Sequence, residues 1–522
     1  MKNKFLYLSV LALGFASCEP EFENEINSNT YTSGDADFTT YVAVGNSLTA
    51  GYMDGTVFKN GQQYSFPNLL SQQFSVVGGG TFTQPSYEDD VNNKGGLLLG
   101  GNPIAATRMI INASAGGPQN IAGAPTIEVS NLQKKAYNNM GVPGAKSFHL
   151  LAPNYGNVAG VAMGMANPYF VRHATTPEIT VLEDALSLNP TFFTNWIGNN
   201  DVLAYATSGG TGVDQTGNYN PETYGGNDIT DPNVFAQVYS TIIDGLTANG
   251  AKGVVATIPN VASIPFFTTV PYAPLSSDDP DFSANIPQLQ LLYGTLNQVY
   301  GMLGVSGRNL VVNTEGYTPL LLKDKALTDI GAQLEAVAQA SGDPMLMALA
   351  PILGAHFGQV RQATANDLVL LSTSGVIGSA PQGIPAPLNA YGISFPLEDR
   401  HVLTAAEAQL VATATASFNS SIKAIAQAKG LAVADMNAIM AQLANITSGL
   451  KTDDGQIYYA NYFSTDRLHT TLFSLDGVHP NAKGYAIVAN EIIKVINQHY
   501  NAHLPLLNAS QYPGATILTS NN

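Results

Sequence analysis

The sequence of 522 residues contains little cysteine, charge or tryptophan. Its single Cys excludes disulfide frameworks and cysteine-based zinc or iron–sulfur sites. Charged residues make up only 11%, and 21 Lys and Arg against 38 Asp and Glu give a net charge of -17. Nucleic-acid binding needs clustered cations that neutralise phosphates, so no nucleic-acid partner is predicted. Beyond the N-terminus, no uninterrupted apolar run reaches the roughly 18 residues of a membrane-spanning helix.

The residues that are abundant indicate an ordered, loop-rich protein. Hydrophobic residues make up 45% of the chain, and there are 50 Gly and 29 Pro. High apolar content combined with low charge argues against disorder. From length alone, two to four domains around sizeable cores are expected.

The N-terminus has the pattern of a secretory signal. Lys2 and Lys4 precede an almost entirely apolar stretch over 5–15, and small residues follow immediately before Cys18. The sequence L-G-F-A-S-C at 13–18 resembles a lipobox, with Phe where Leu is commoner. We therefore predict a lipoprotein signal peptide over 1–17 and lipidation of Cys18. The alternative is a buried or incidental cysteine.

The segment that follows Cys18 is polar and acidic. Glutamates occur at every second position from Glu19 to Glu25, within a tether predicted over 18–37. Such tethers resemble those of lipoproteins of the Bacteroidetes type. The resemblance implies an exported lipoprotein of a Gram-negative bacterium, attached to the outer membrane at its periplasmic face or at the cell surface. The bilayer would then be a partner through the N-terminal acyl anchor.

The remainder of the chain has an α/β pattern. Helices are predicted after the N-cap pair Asp231-Pro232 and at the capping box that begins at Thr404, where Leu410, Ala414, Phe418, Ile422 and Ile425 would form one face. Alternating helices and short buried strands indicate a parallel sheet covered on both faces. Strands are predicted at the short apolar runs 39–45, 191–197, 253–258, 310–313 and 431–434.

Two motifs at opposite ends of the chain can carry nucleophilic chemistry. Ser47 lies in G-N-S-L at 45–48, directly after the first predicted strand, and open α/β sheets bind ligands at that edge. The alternative for Ser47 is a simple helix N-cap. His479 lies in D-G-V-H-P at 476–480, where Asp476 can hold the imidazole in one tautomer. The other seven histidines have no such neighbourhood and are interpreted as surface or packed residues.

Two further motifs offer hydrogen-bond donors. Asn200 lies in G-N-N-D at 198–201, just after a predicted strand, and its amide can donate to an oxyanion. Gly144 lies in the glycine-rich turn G-V-P-G-A at 141–145, which can present a backbone N–H. Two donors aimed at one developing charge form an oxyanion hole.

Taken in order, the four motifs resemble those of the SGNH (GDSL-type) hydrolase superfamily. Its G-D-S-L block corresponds to 45–48, its second block ends in a Gly-containing turn, its third is G-x-N-D, and its last is D-x-x-H-P. The resemblance implies that Ser47 is the nucleophile, His479 the general base and then acid, and Asp476 its orienting partner. It also implies an oxyanion hole made of the backbone N–H groups of Ser47 and Gly144 and the side chain of Asn200. Asn46 departs from the pattern, because the family has Asp there.

The resemblance also implies a fold and a domain layout. The family fold is a flavodoxin-like three-layer α/β/α sandwich with a parallel sheet. Minimal members have about 200 residues, so large insertions are expected. We predict one hydrolase domain over 38–505, followed by a C-terminal tail over 506–522. The insertions are predicted at about 78–135, 202–230, 262–300 and 314–400, and the apolar segment 319–360 within the last of these as a helical insertion.

The implied activity is that of a serine esterase or lipase-like hydrolase that cleaves carboxylic esters through an acyl-serine intermediate. Its substrate would be a small or polymer-linked ester, and the reaction needs no metal or organic cofactor. One alternative is a carbohydrate O-acetyl esterase acting on polysaccharide, which uses the same triad. Another is a non-enzymatic, surface glycan-binding lipoprotein, which the single Trp disfavours. The apolar segment 264–272 is either core packing or the wall of an acyl pocket.

Overall fold

The computed structural model describes residues 31–114, 117–464, 467 and 470–518. The predicted signal peptide, Cys18 and most of the acidic tether therefore lie outside the described residues. The first and last parts of the described chain lie side by side. Thr32 forms an antiparallel bridge with His503, and the backbone N–H of Asp35 donates to the carbonyl of Tyr500 at 2.7 Å.

A five-stranded parallel sheet forms the centre of the molecule, in the spatial order β2-β1-β3-β4-β5. The α/β class and the parallel sheet predicted from the sequence are thereby confirmed. This strand order is one of the two common orders of doubly wound sheets. The strands are β1 (Tyr41–Gly45), β2 (Asn139–Gly141), β3 (Phe192–Trp196), β4 (Lys252–Ala256) and β5 (Ala432–Ala434).

The central strands are runs of apolar residues because their side chains are buried on both faces of the sheet. All five residues of β1 and of β3 are buried. The sequence analysis missed β2, which has only three residues and begins with Asn. The strand predicted at 310–313 is wrong: that segment is a loop, and its apolar residues Leu310 and Val312 pack in a second core away from the sheet.

Helices flank the sheet and also lie in the segments predicted as insertions. α15 contacts β4, β5 and α3, whereas α13 contacts β4, β5 and α7. The helices are α1 (Ser47–Ala50), α2 (Lys59–Gln62), α3 (Phe66–Ser75), α4 (Pro168–Val171), α5 (Val181–Ser187), α6 (Asn200–Thr207), α7 (Pro232–Thr247), α8 (Pro265–Thr268), α9 (Pro280–Ser283), α10 (Ile286–Met302), α11 (Gly331–Ala340), α12 (Pro344–His356), α13 (Ala405–Lys429), α14 (Met436–Ala444) and α15 (Ala482–His499).

Two helix starts follow the sequence signals. Asp231 accepts hydrogen bonds from the backbone N–H groups of the second and third residues of α7, and Pro232 is its first residue. Glu407 accepts from the backbone N–H of Thr404 at 2.9 Å at the start of α13. The predicted face of α13 is wrong at one position, because Leu410 is 40% exposed and Val411 is buried in its place.

A second hydrophobic core lies in the long segment between β4 and β5. It combines residues of α10, α11 and α12 with Leu310 and Val312, so the two predicted insertions at 262–300 and 314–400 share one core. We call this body the insert and bound it by the second-core residues Leu275 and Val402.

The insert joins the sheet domain through a short antiparallel pair. Leu368 pairs with Leu403 and Val369 pairs with Val402. Successive residues of a strand point to opposite faces. Accordingly, the two leucines pack against the main core and the two valines against the second core.

The remaining strands lie outside the central sheet. Two strand pairs lie in 97–105 and 450–458. A three-stranded sheet is formed by two strands in 109–120 and by the last described residues. Among the described residues, no helix combines the length and the apolar character that crossing a bilayer requires. The strands are Leu97–Leu99 with Asn102–Ala105, Met109–Asn112 with Gly117–Asn120 and Ile517–Leu518, Leu450–Lys451 with Ile457–Tyr458, Leu275–Ser276 with Tyr317–Thr318, and Leu321–Lys323 with Val360–Gln362.

Candidate active site

Ser47 is the first residue of α1, directly beyond the carboxyl end of β1. Asn46 caps this helix, because its side-chain oxygen accepts from the backbone N–H of Leu48 at 3.0 Å. The turn requires glycine at position 45, since a Cβ atom there would lie 2.1 Å from Thr49 Oγ1 and 2.6 Å from the carbonyl of Trp196. Strand end, glycine and cap together fix Ser47 at the sheet edge.

The two side chains of the C-terminal motif lie beside Ser47. His479 Nε2 is 2.8 Å from Ser47 Oγ, and His479 Nδ1 is 2.9 Å from Asp476 Oδ2. The sequence motifs that are farthest apart in the chain therefore meet in one hydrogen-bonded row. A serine, a histidine and an aspartate in this row can transfer a proton from the serine to the ring while the carboxylate holds the ring in orientation.

A tight turn places Asp476 and His479 on the same side. The backbone N–H of Ser474 donates to the carbonyl of His479 at 2.8 Å, and Gly477 within the turn has φ +72°. A Cβ atom at Gly477 would also lie 2.8 Å from the side chain of Leu371. Glycine is therefore required here both by the left-handed backbone and by the insert that packs against it.

Asp476 is held by several donors besides His479. Its Oδ1 accepts from the backbone N–H groups of Val478 and His479, both at 2.9 Å, and from Ser474 Oγ at 3.0 Å. The backbone N–H of Gly55 donates to its Oδ2 at 3.1 Å. Burial raises the pKa of Asp476, but the neighbouring His479 and the backbone donors outweigh it and hold the pKa below its usual value. The carboxylate is therefore charged when it faces the imidazole.

Asn200 and Gly144, the predicted oxyanion donors, lie on adjacent parts of the same sheet edge. Asn200 begins α6 just after β3, and its side-chain N–H donates to the carbonyl of Ala145 at 2.9 Å. Gly144 lies in the turn after β2 with φ +80°, a conformation that favours glycine. The turn is also held by Asn167, whose amide donates to the carbonyl of Pro143 at 2.8 Å. Asn200 thus links the third motif to the second.

The structure reveals two supporting contacts to which the sequence analysis gave no role. Asp201 is fully buried, and its two oxygens accept from the backbone N–H and the hydroxyl of Ser147 at 2.8 and 2.7 Å. Asn46 Nδ2 donates to Asn199 Oδ1 at 3.2 Å, so Asn46 ties the first motif to the third. Asp201 lies inside the predicted motif, but no sequence signal indicated its partner.

The loop before α2 forms the back of the site and was also missed. Asp54 is buried, its backbone N–H donates to Ser474 Oγ at 3.0 Å, and its Oδ1 accepts from the backbone N–H of Leu475. Asp54 has φ +54°, in the left-handed region. The dipeptide Asp54-Gly55 is a turn signal, which was the only sequence indication of this loop. Burial raises the pKa of Asp54 to about 7.

An apolar cavity of about 100 Å³ opens at Ser47, His479 and Asn200. Of the apolar segment 264–272, only Ile264 lines this cavity. Among the described residues, no group of three or more His, Cys, Asp or Glu is arranged to hold a metal ion. The arrangement around Ser47 is thus a hydroxyl, an imidazole and a carboxylate in one hydrogen-bonded row beside an apolar pocket.

Comparison with known families agrees with this geometry. A family model described as GDSL-like Lipase/Acylhydrolase matches residues 353–492, about a quarter of the chain. The match supports the SGNH hydrolase superfamily. It includes Asp476 and His479 and begins inside the insert, whereas Ser47, Gly144 and Asn200 lie outside it. The family implies a hydrolase acting on esters. No curated protein and no solved structure matches the chain significantly.

Proposed function

We propose that the protein is a serine esterase or lipase-like hydrolase with the triad Ser47, His479 and Asp476. The observation that carries this proposal is the hydrogen-bonded row from Ser47 Oγ through the imidazole of His479 to Asp476, with distances of 2.8 and 2.9 Å. His479 would take the proton of Ser47 as the hydroxyl attacks the ester carbonyl. It would return that proton to the leaving alcohol, and a water activated by His479 would then release the acid.

The proposed oxyanion hole consists of the backbone N–H groups of Ser47 and Gly144 and the side chain of Asn200. Each of these donors follows the carboxyl end of a different strand, β1, β2 or β3. The bonds from Asn200 to the carbonyl of Ala145 and from Ser147 to Asp201 support a preorganised turn. Preorganised donors are effective because they need no rearrangement as the negative charge develops.

We further propose the finer fold and location that the sequence indicates. The strand order β2-β1-β3-β4-β5, with α15 in contact with α3 and α13 in contact with α7, supports the flavodoxin-like three-layer sandwich. Lipidation of Cys18, removal of residues 1–17 and attachment to the outer membrane remain proposals from the sequence. Incorporation of labelled palmitate into the expressed protein, absent in Cys18→Ser, would test the anchor.

A serine-directed probe tests the proposed activity whatever the natural ester is. A fluorophosphonate reacts with an activated serine, so intact-protein mass spectrometry should show one adduct on the wild type and none on Ser47→Ala. Ser75→Ala, at an exposed position at the end of α3, is the matched control and should label normally. Labelling should parallel hydrolysis of p-nitrophenyl butyrate. Labelling of Ser47→Ala equal to the wild type would contradict the assignment.

The two alternatives predict different outcomes. A glycan-binding lipoprotein would neither label nor hydrolyse esters, although it would retain the row of hydrogen bonds. A carbohydrate O-acetyl esterase would label at Ser47 and release acetate from acetylated polysaccharide faster than it cleaves longer-chain esters. The apolar cavity beside Ser47 favours the proposed lipase-like hydrolase over these alternatives.

A further inference from the structure

The cavity beside Ser47 is lined by a few polar groups and by many apolar side chains. Ser47, His479 and Asn200 are among the polar ones. Much of the apolar lining comes from α14 and α15, the helices that follow β5 and the last motif. The wall residues that carry the inference are Met436, Ile439, Met440, Leu443, Ile487 and Val488.

The polar groups of the cavity are committed to one another or to the reaction. The side chain of Asn46 bonds that of Asn199, Asn200 bonds the carbonyl of Ala145, and His479 bonds Ser47. No Asp, Glu, Lys or Arg lines the cavity. Sugar hydroxyls placed against the apolar lining would lose their water without gaining hydrogen-bond partners, which is costly. The apolar part of the cavity is therefore unsuited to a sugar and suited to a hydrocarbon.

The size of the cavity indicates how much hydrocarbon it holds. One water needs roughly 10–15 Å³ of such space, so about 100 Å³ accommodates roughly seven to ten groups of that size. A methylene group is of similar size. Met436 and Met440 are unbranched and flexible, and such side chains adapt to a linear chain of variable conformation.

We propose that this cavity binds an unbranched hydrocarbon chain of about seven to ten carbons, attached to the ester that reacts at Ser47. This inference rests on the proposed function. It names the substrate class, a medium-chain aliphatic ester, and assigns α14 as the element that limits chain length. The chain belongs either to the acyl group or to the alcohol, and two substrate series distinguish these sources.

The first measurement is kcat/KM for p-nitrophenyl esters from acetate to dodecanoate, and for acetate esters of linear alcohols of the same lengths. In the series whose chain enters the cavity, kcat/KM should rise by up to about fourfold per methylene to about seven to ten carbons and then level off. If both series are fastest at their shortest member, the inference is overturned.

The second measurement places the chain in the cavity. Met440→Trp fills the space beside α14 and should lower the ratio of kcat/KM for octanoate over acetate, or for the matching alcohols, by at least about tenfold. Gln442→Trp adds the same ring on an exposed position of the same helix and should leave the ratio unchanged. Equal ratios for Met440→Trp and Gln442→Trp would overturn the assignment.

A third variant guards against misfolding of Met440→Trp. Leu443→Ala enlarges the cavity and should move the optimum toward longer chains, the opposite direction.

Failure of the inference and failure of the proposed function are distinguishable. If the function is wrong, neither series is cleaved and the fluorophosphonate does not label Ser47. If only the inference is wrong, both reactions occur but the ratios do not respond to Met440 or Leu443.

Discussion

The sheet domain and the insert are built on different principles. At the sheet edge, buried and half-buried polar side chains such as Asp476, Asp201 and Asn46 are hydrogen-bonded to residues of the four motifs and their neighbours. The insert has almost no charge in its helices: residues 282–307 and 344–360 contain no Asp, Glu, Lys or Arg. The sheet domain concentrates polar side chains at one edge, whereas the helices of the insert are nearly free of charge and pack through apolar side chains.

The comparison extends to two buried carboxylates whose pKa values are shifted in opposite directions. Burial raises the pKa of Asp54, which lies behind the proposed triad. Burial also acts on Asp367 at the base of the insert, but Arg361 outweighs it and holds the pKa of Asp367 below its usual value. Arg361 Nη1 is 2.6 Å from Asp367 and its Nε is 2.7 Å from Asp324. The two carboxylates therefore differ in their surroundings: Asp367 faces the guanidinium of Arg361, whereas burial dominates at Asp54.

The largest expected effect distinguishes the carboxylate of Asp476 at the sheet edge from an exposed carboxylate of the insert. Asp476→Asn should lower kcat by about 10⁴-fold, because an amide cannot hold the imidazole in the required tautomer or stabilise its charge. Asp278→Asn, at an exposed position of the insert, should leave kcat unchanged. Steady-state kinetics on p-nitrophenyl butyrate measures both. A loss below tenfold for Asp476→Asn would remove it from the proposed triad.

The next effect concerns the ion pairs inside the insert. Arg361→Ala leaves Asp367 and Asp324 without their cation, and breaking such a buried pair costs about 3–5 kcal/mol of unfolding free energy. Arg400→Ala removes an exposed pair with Glu398 and should cost about 0–1 kcal/mol. Urea denaturation followed by circular dichroism measures both variants. Equal costs would mean that the Arg361 pairs do not stabilise the protein more than an exposed pair does.

A smaller effect on rate tests the oxyanion donor. Asn200→Ala should lower kcat roughly ten- to thousandfold, as the loss of one oxyanion donor does. Asn227→Ala, on an exposed loop, is the control and should leave kcat unchanged. A change in Asn200→Ala that is confined to KM would show that the side chain positions substrate without stabilising the transition state.

The smallest effect is a pH dependence of stability from Asp54. Its pKa of about 7 in the folded protein exceeds the value of about 3.9 in the unfolded chain. The folded state therefore binds more protons between these values, and stability falls as pH rises through that window. The side chain at position 54 of Asp54→Asn does not titrate. As pH rises from 5 to 8, the free energy of unfolding of this variant should therefore increase, relative to that of the wild type, by on the order of 1 kcal/mol or more. A difference in Tm that is the same at both pH values would contradict this.

The sequence predicted the sheet edge better than the insert. Ser47, Asp476 and His479 were identifiable because each lies in a short motif with glycine or proline at the turn, and the structure brings them together. The start of α7 was predictable from Asp231 and Pro232 for the same local reason.

What the sequence did not predict depends on contacts between distant segments. The apolar run 310–313 resembles a strand, yet Leu310 packs in the second core, which only tertiary structure defines. The partners of Asp201 and Asp54 lie 54 and 421 positions away, so no local pattern could indicate them. Likewise, Leu410 and Val411 are neighbours of similar hydrophobicity, and the packing against α7 decides which is buried.

The separation of 432 positions between Ser47 and His479 has a consequence for how activity arises. Protein chains are made from the N-terminus, so the proposed nucleophile exists long before its proposed base. Any fragment that stops short of Asp476 would carry Ser47 without these partners. Conversely, a chain divided within the insert gives two pieces that each hold part of the proposed triad. Recovery of fluorophosphonate reactivity on mixing them would report reassembly directly, which makes this architecture a candidate split enzyme.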